Sequence, residues 1–129
     1  MTKKLSRVLY VEDDLDIQVV AGMALQTLGG YSVAICSSGD EALIRAPGFD
    51  PQLILLDVMM PGMDGPATLA KLREMPQFAK IPMVFMTAKV QPGEVSAFRQ
   101  LGAADVIPKP FDPMTLAEQV RAIWERSHG

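Results

Sequence analysis

The sequence predicts a doubly wound α/β fold, a five-stranded parallel sheet with helices on both faces, and three observations carry that expectation. Apolar runs of four to six residues alternate with segments of helical period, the alternation of strand and crossover helix that builds a parallel sheet. The helical segments carry recognisable start and stop residues. The connections between them are only a few residues long, as in compact α/β units.

The strands are expected at residues 8–11, 32–36, 53–56, 83–86 and 105–107. In the first helix Ile17, Val20, Ala21, Ala24, Leu25 and Leu28 recur at spacings of three and four, as one buried stripe requires, and Gly29-Gly30 supplies its stop. The second opens at Ser38, whose side chain can cap a backbone amide while Glu41 reaches back to the cap, and ends near Pro47-Gly48. The third follows Asp64-Gly65-Pro66, with proline where a missing amide hydrogen costs little, and turns Leu69 and Leu72 inward. A fourth starts near Pro92, shows Val95, Phe98 and Leu101, and stops at Gly102. The fifth has Asp112 as cap, Pro113 as its first residue, and Leu116, Val120, Ile123 and Trp124 as its stripe.

A chain of 129 residues can bury one hydrophobic core and is too short for two. With 49% hydrophobic and 21% charged residues it has the balance of a globular protein, not of a disordered or fibrous one. The net charge of −3 comes from 12 basic and 15 acidic residues scattered along the chain, so no basic face forms and direct DNA binding is not expected. Cys36, the only cysteine, lies in the apolar run 31–36 and reads as a small core hydrophobe. The apolar stretch 8–11 stops at Glu12-Asp13-Asp14, far short of a signal peptide or a membrane span, which points to a cytoplasmic protein without a membrane partner. There is no repeat, low-complexity tract or linker, and no output domain is expected from these residues.

In an open parallel sheet ligands bind beyond the carboxyl ends of the strands, near the point where strand order reverses. Glu12, Asp13 and Asp14 follow the first apolar run, Asp57 the third, Thr87 the fourth and Lys109 the fifth. Carboxylates from neighbouring strand ends repel one another unless one is protonated or a cation lies between them. A sparse acidic set without histidine or thiolate suits a hard divalent ion, magnesium or manganese, and suits zinc poorly. His128, next to the C-terminus, reads as a solvated tail residue and not as a ligand or base. A lysine and a hydroxyl added to a metal-carboxylate site make a place for a phosphoryl group, and the remaining carboxylate can then be its nucleophile. Asp14 reads as a helix-capping or first-turn carboxylate and Asp64 as a turn or cap residue ahead of the third helix, and both stand outside the site.

Val11-Glu12-Asp13-Asp14, Leu55-Leu56-Asp57-Val58-Met59-Met60-Pro61-Gly62-Met63-Asp64-Gly65, Met86-Thr87-Ala88 and Pro108-Lys109-Pro110-Phe111 resemble the four hallmarks of bacterial response-regulator receiver domains. They occur in the same order and span nearly the whole chain, in the manner of the single-domain chemotaxis regulators. The resemblance implies one receiver domain over residues 1–129, a flavodoxin-like (βα)5 fold with strand order 2-1-3-4-5, and phosphorylation of Asp57. It implies that Glu12 and Asp13 are the acidic pair for magnesium, joined by Asp57 and the Met59 carbonyl, that Thr87 contacts the phosphoryl group, and that Lys109 pairs with Asp57 or its phosphate. It also implies a sensor histidine kinase or histidine phosphotransfer protein as donor, a downstream protein target, a monomer or weak dimer, and no enzymatic activity beyond self-catalysed phosphorylation and dephosphorylation. The peptide bond corresponding to Lys109-Pro110 is commonly cis in this family.

Two positions depart from the family pattern or invite comment. Three residues before the lysine, where the family usually carries an aromatic that swings inward on phosphorylation, stands Val106, so output is expected through the loop of Thr87, Ala88 and Lys89 and the fourth helix. The Met59 side chain, near the mouth of the site, either shields a phosphorylated aspartate from water or is without consequence there. The competing readings are a phosphorylation-independent receiver-like scaffold, an aspartyl phosphatase and a flavin carrier. The last two lack, respectively, an acid two residues after Asp57 and a phosphate-cradling loop after the first strand.

Overall fold

The computed structural model describes residues 4–128, with only the backbone of His128, so the reading of that side chain lies outside the described residues. The elements alternate as β1 (Arg7–Val11), α1 (Leu15–Gly22), β2 (Ser32–Cys36), α2 (Gly39–Phe49), β3 (Leu53–Asp57), α3 (Gly65–Arg73), β4 (Met83–Thr87), α4 (Pro92–Gln100), β5 (Asp105–Pro108) and α5 (Leu116–His128). All strand pairs are parallel and the sheet runs β2-β1-β3-β4-β5. This is the five-stranded, doubly wound arrangement expected from the sequence.

Side chains alternate across each strand, so every central strand feeds two cores. Val8, Tyr10, Leu53, Leu55, Val84 and Met86 pack with Ala21 of α1, with Ala24 and Leu25 in the helical segment that continues it, and with Leu116, Val120, Ile123 and Trp124 of α5. Leu9, Val11, Ile54, Leu56, Met83 and Phe85 pack with Ala42 and Ala46 of α2 and Leu69 and Leu72 of α3 on the opposite face. Cys36 is buried there, as a core residue. α4 buries no residue fully; Phe98 alone sets its ring edge-on to Phe85, with centroids 5.1 Å apart. Among the described residues no helix is long and apolar enough to cross a membrane.

Several local expectations are refined. After Gly22 the first helix widens into a π-helical segment, Met23–Leu28, before Gly29 and the left-handed Gly30 end it. The extra residue per turn carries Leu28 off the buried stripe, and Val20, one position from Ala21, also stands exposed. At the start of α2 Ser38 accepts from Glu41 N, but the Glu41 carboxylate reaches Ser37 N, one residue before the cap. That helix runs through Pro47 to Phe49 and closes on left-handed Asp50. Leu101 lies past the last turn of α4 and points outward, while Ala103 fills the core. Asp112 caps a turn over 113–115 that leads into α5, so Pro113 precedes the helix instead of opening it.

Where β3 and α3 meet, there is no spare room at Gly65. Gly65 N donates to Val58 O at 3.0 Å, and a Cβ on Gly65 would lie 2.5 Å from the Asp57 carbonyl oxygen. The Gly65→Ala variant is therefore expected to lose about 1–3 kcal/mol of stability in urea unfolding, since a backbone neighbour cannot step aside as a side chain does.

Candidate functional site

The reversal in strand order falls between β1 and β3. Their loops leave toward opposite faces, and a crevice opens beyond the strand ends. Tyr10 pairs with Leu55 and Val11 with Leu56, so one residue further on Glu12 and Asp57 arrive side by side. Glu12 is 1% and Asp57 4% exposed, and two carboxylates are rarely buried together without cations. β4 ends on Thr87, also buried, whose Oγ1 accepts from Lys89 N at 3.1 Å. Lys109 follows β5; its amide donates to Thr87 O at 2.9 Å, and its bond to Pro110 is cis.

The Lys109 ammonium joins the group. Nζ donates to Glu12 Oε1 at 2.8 Å and to Asp57 Oδ1 at 3.1 Å. Burial and the neighbouring Glu12 charge push the Asp57 carboxyl up to about 6, although Lys109 pulls the other way. Burial would lower the Lys109 pKa, but hydrogen bonds to the two carboxylates outweigh it and raise it.

Asp13 is exposed at the rim, and Glu12, Asp13 and Asp57 each bring a carboxylate oxygen within 4.8 Å of the others. These donors are all oxygen, which fits a hard divalent cation such as magnesium or manganese and not zinc. Met59 stands 71% exposed two residues beyond Asp57. Asp14 caps α1 by accepting from Asp16 N and Ile17 N, and Asp64 caps α3 by accepting from Ala67 N, as read from the sequence.

The structure thus gathers Glu12, Asp13, Asp57, Thr87 and Lys109 at one end of the sheet, with Met59 on the adjoining loop. One contact was missed in the sequence: the buried Tyr10 hydroxyl donates to Glu12 Oε1 at 3.0 Å. By sequence Tyr10 is one more residue of the apolar run 8–11, yet its place two before Glu12, on the same strand face, is a usable signal.

A doubly wound sheet with an acidic pair, an aspartate, a threonine and a lysine at its carboxyl edge defines a class of signalling domain, and comparison with known proteins specifies it. The family model described as the response regulator receiver domain matches residues 8–121, and the chain belongs to that family. It is 36% identical over 121 residues to the alkaline phosphatase synthesis transcriptional regulatory protein PhoP of Bacillus subtilis, covering 94% of this chain and 49% of that protein. To response regulator PleD of Caulobacter vibrioides it is 38% identical over 118 residues, covering 92% of this chain and 26% of the relative. The chain therefore spans about half or less of these relatives. Among solved structures, chemotaxis response regulator CheY4 of Vibrio cholerae superposes with a TM-score of 0.86 at 29% identity, covering 93% of this chain and 99% of that one. The signal receiver domain of a signal transduction histidine kinase from Syntrophus aciditrophicus gives 0.80 at 30% identity, covering 94% and 91%.

The pH dependence of stability follows from Asp57. Its folded pKa lies above the ordinary 3.8, so its ionised form weakens the fold; that penalty is complete above about pH 6 and disappears as pH falls below 3.8. Replacing Asp57 by Asn is expected to stabilise the metal-free protein at neutral pH by on the order of 1–3 kcal/mol in urea unfolding, and the gain should shrink on acidification through pH 6.

Proposed function

We propose that this receiver domain accepts a phosphoryl group on Asp57 from a phosphohistidine of a sensor histidine kinase or histidine phosphotransfer protein and signals through altered protein contacts. The observation that carries this reading is the Lys109 bridge: one ammonium touches both buried carboxylates, Glu12 and Asp57, beside the hydroxyl-bearing Thr87. In the transfer an Asp57 oxygen attacks phosphorus, a P–O bond forms, the P–N bond to the donor imidazole breaks, and the imidazole leaves with its electron pair.

Magnesium or manganese, held by Glu12, Asp13, Asp57 and the Met59 carbonyl, would supply positive charge where carboxylate and phosphoryl oxygens meet. Lys109 turns from its carboxylate partners toward a phosphoryl oxygen. Thr87, an acceptor toward Lys89 N, offers its hydroxyl proton to another. No substrate is turned over apart from the domain's own acyl phosphate, whose formation and hydrolysis the same residues assist.

Several features support this signalling role. Leu15, Val19 and Met23 form an exposed apolar stripe at spacings of four along the first helix, a surface suited to a helical donor. For output, Phe98 touches Phe85, two residues before Thr87, and Arg99 pairs with Asp105 of β5 at 3.1 Å, while no residue of α4 is fully buried. With Val106 half-buried and without a ring to swing, α4 and the loop before it are the elements free to respond. The downstream target is a protein; the transcriptional role in the name of the Bacillus relative belongs to a protein about twice as long.

Intact mass after exposure to acetyl phosphate should show one added phosphoryl group with magnesium present and none after chelation or in Asp57→Ala; a magnesium-independent or Asp57-independent adduct would overturn the assignment. Beryllofluoride is expected to move the amide resonances of residues 95–105, and unchanged shifts there would refute the output route.

A further inference from the structure

Tyr10 is among the largest fully buried side chains of the chain. It sits in the strand that the sheet places between β2 and β3, surrounded by Val8, Leu53, Leu55, Val84 and Met86. A phenylalanine would fill nearly the same volume and leave no hydroxyl to satisfy. The hydroxyl instead donates at 3.0 Å to Glu12 Oε1, the oxygen that also receives Lys109 Nζ at 2.8 Å. The other carboxylate oxygen, Oε2, accepts from Asp14 N at 3.2 Å.

These three donors differ in what they can do when the site is used. Lys109 serves Glu12 and Asp57 together through a flexible four-carbon stem, so it leaves Glu12 when a phosphoryl oxygen becomes its partner. The Asp14 amide belongs to an exposed loop residue that caps α1. The Tyr10 ring is fully buried in the sheet core among side chains of β1, β3 and β4, and its packing does not involve Lys109. Glutamate has one more torsion than aspartate with which to place its carboxylate, so a cation site that uses Glu12 needs such a fixed donor. Hydrogen-bonded partners of this kind hold ligating carboxylates in most metal sites.

We propose that Tyr10 is a positioning residue: its hydroxyl holds the Glu12 carboxylate in place for the divalent cation and keeps it there when Lys109 moves onto the phosphoryl group. This rests on the phosphoacceptor reading above and assigns Tyr10 no contact with the reacting atoms.

The test is a double-mutant cycle on magnesium affinity, measured by isothermal titration of the intact chain. Tyr10→Phe is expected to weaken magnesium binding by about tenfold. In a Glu12→Asp background, whose shorter side chain draws the carboxylate away from the hydroxyl, the same change should cost less than about twofold. Equal losses in both backgrounds would reduce Tyr10 to packing and overturn the proposal, as would an unchanged affinity in Tyr10→Phe. Should Glu12→Asp bind no magnesium, acetyl phosphate kinetics decide. A magnesium midpoint shifted upward in Tyr10→Phe with its plateau rate kept supports positioning, and a lowered plateau at an unmoved midpoint overturns it. A wild-type chain that binds no magnesium and takes no phosphoryl group would remove the phosphoacceptor reading and this inference together. A wild type competent in both, with an indistinguishable Tyr10→Phe, would remove this inference alone.

Discussion

The ammonium of Lys109 between Glu12 and Asp57 is the contact on which the rest of the site depends. Two carboxylates buried at the ends of neighbouring strands repel each other in a medium that screens poorly, and one of them would otherwise take up a proton. The bridge spans 97 residues of sequence and exists because a parallel sheet returns every strand to the same edge. It balances the pair only in part: Asp57 stays well above an ordinary aspartate in pKa. An acidic pair balanced only in part is chemically suited to a further cation.

Around that pair the scaffold is rigid where the chemistry needs it and loose where a signal would leave. β1, β3 and β4 are buried on both faces, so Asp57 and Thr87 stand at the ends of strands that cannot shift without disturbing two cores. Arg73 adds a polar clamp, donating to the carbonyls of Phe78, Ile81 and Gly102 and so tying the connection into β4 to the turn before β5. α4 lies beside the outer strands with no fully buried residue. Elements with few buried contacts open at low free energy, the property a responsive segment requires.

The fold was legible because its signal is local and repeated. Apolar runs marked all five strands to within a residue at each end, and Asp14, Ser38 and Asp64 proved to be the caps their positions suggested. What escaped were features that depend on a neighbour. The π-helical turn that turns Leu28 outward ends at Gly29, which lies close against Ala117 of α5, and the burial of Ala103 in place of Leu101 depends on how α4 meets the sheet. Neither follows from helical period alone.

By itself the sequence determined the order of strands and helices along the chain, the candidate residues Glu12, Asp13, Asp57, Thr87 and Lys109, and the oxygen-rich character that suits a hard cation. These follow from residue type and short-range spacing, which are written in the chain directly. Only the tertiary structure decided that Lys109 touches both carboxylates, that Asp13 alone of the acidic three faces solvent, and that Tyr10 donates a hydroxyl to Glu12. The physical reason is common to all three. Burial, and the hydrogen bonds that burial makes obligatory, are properties of the packed sheet edge, where strands far apart in sequence set one another's environment.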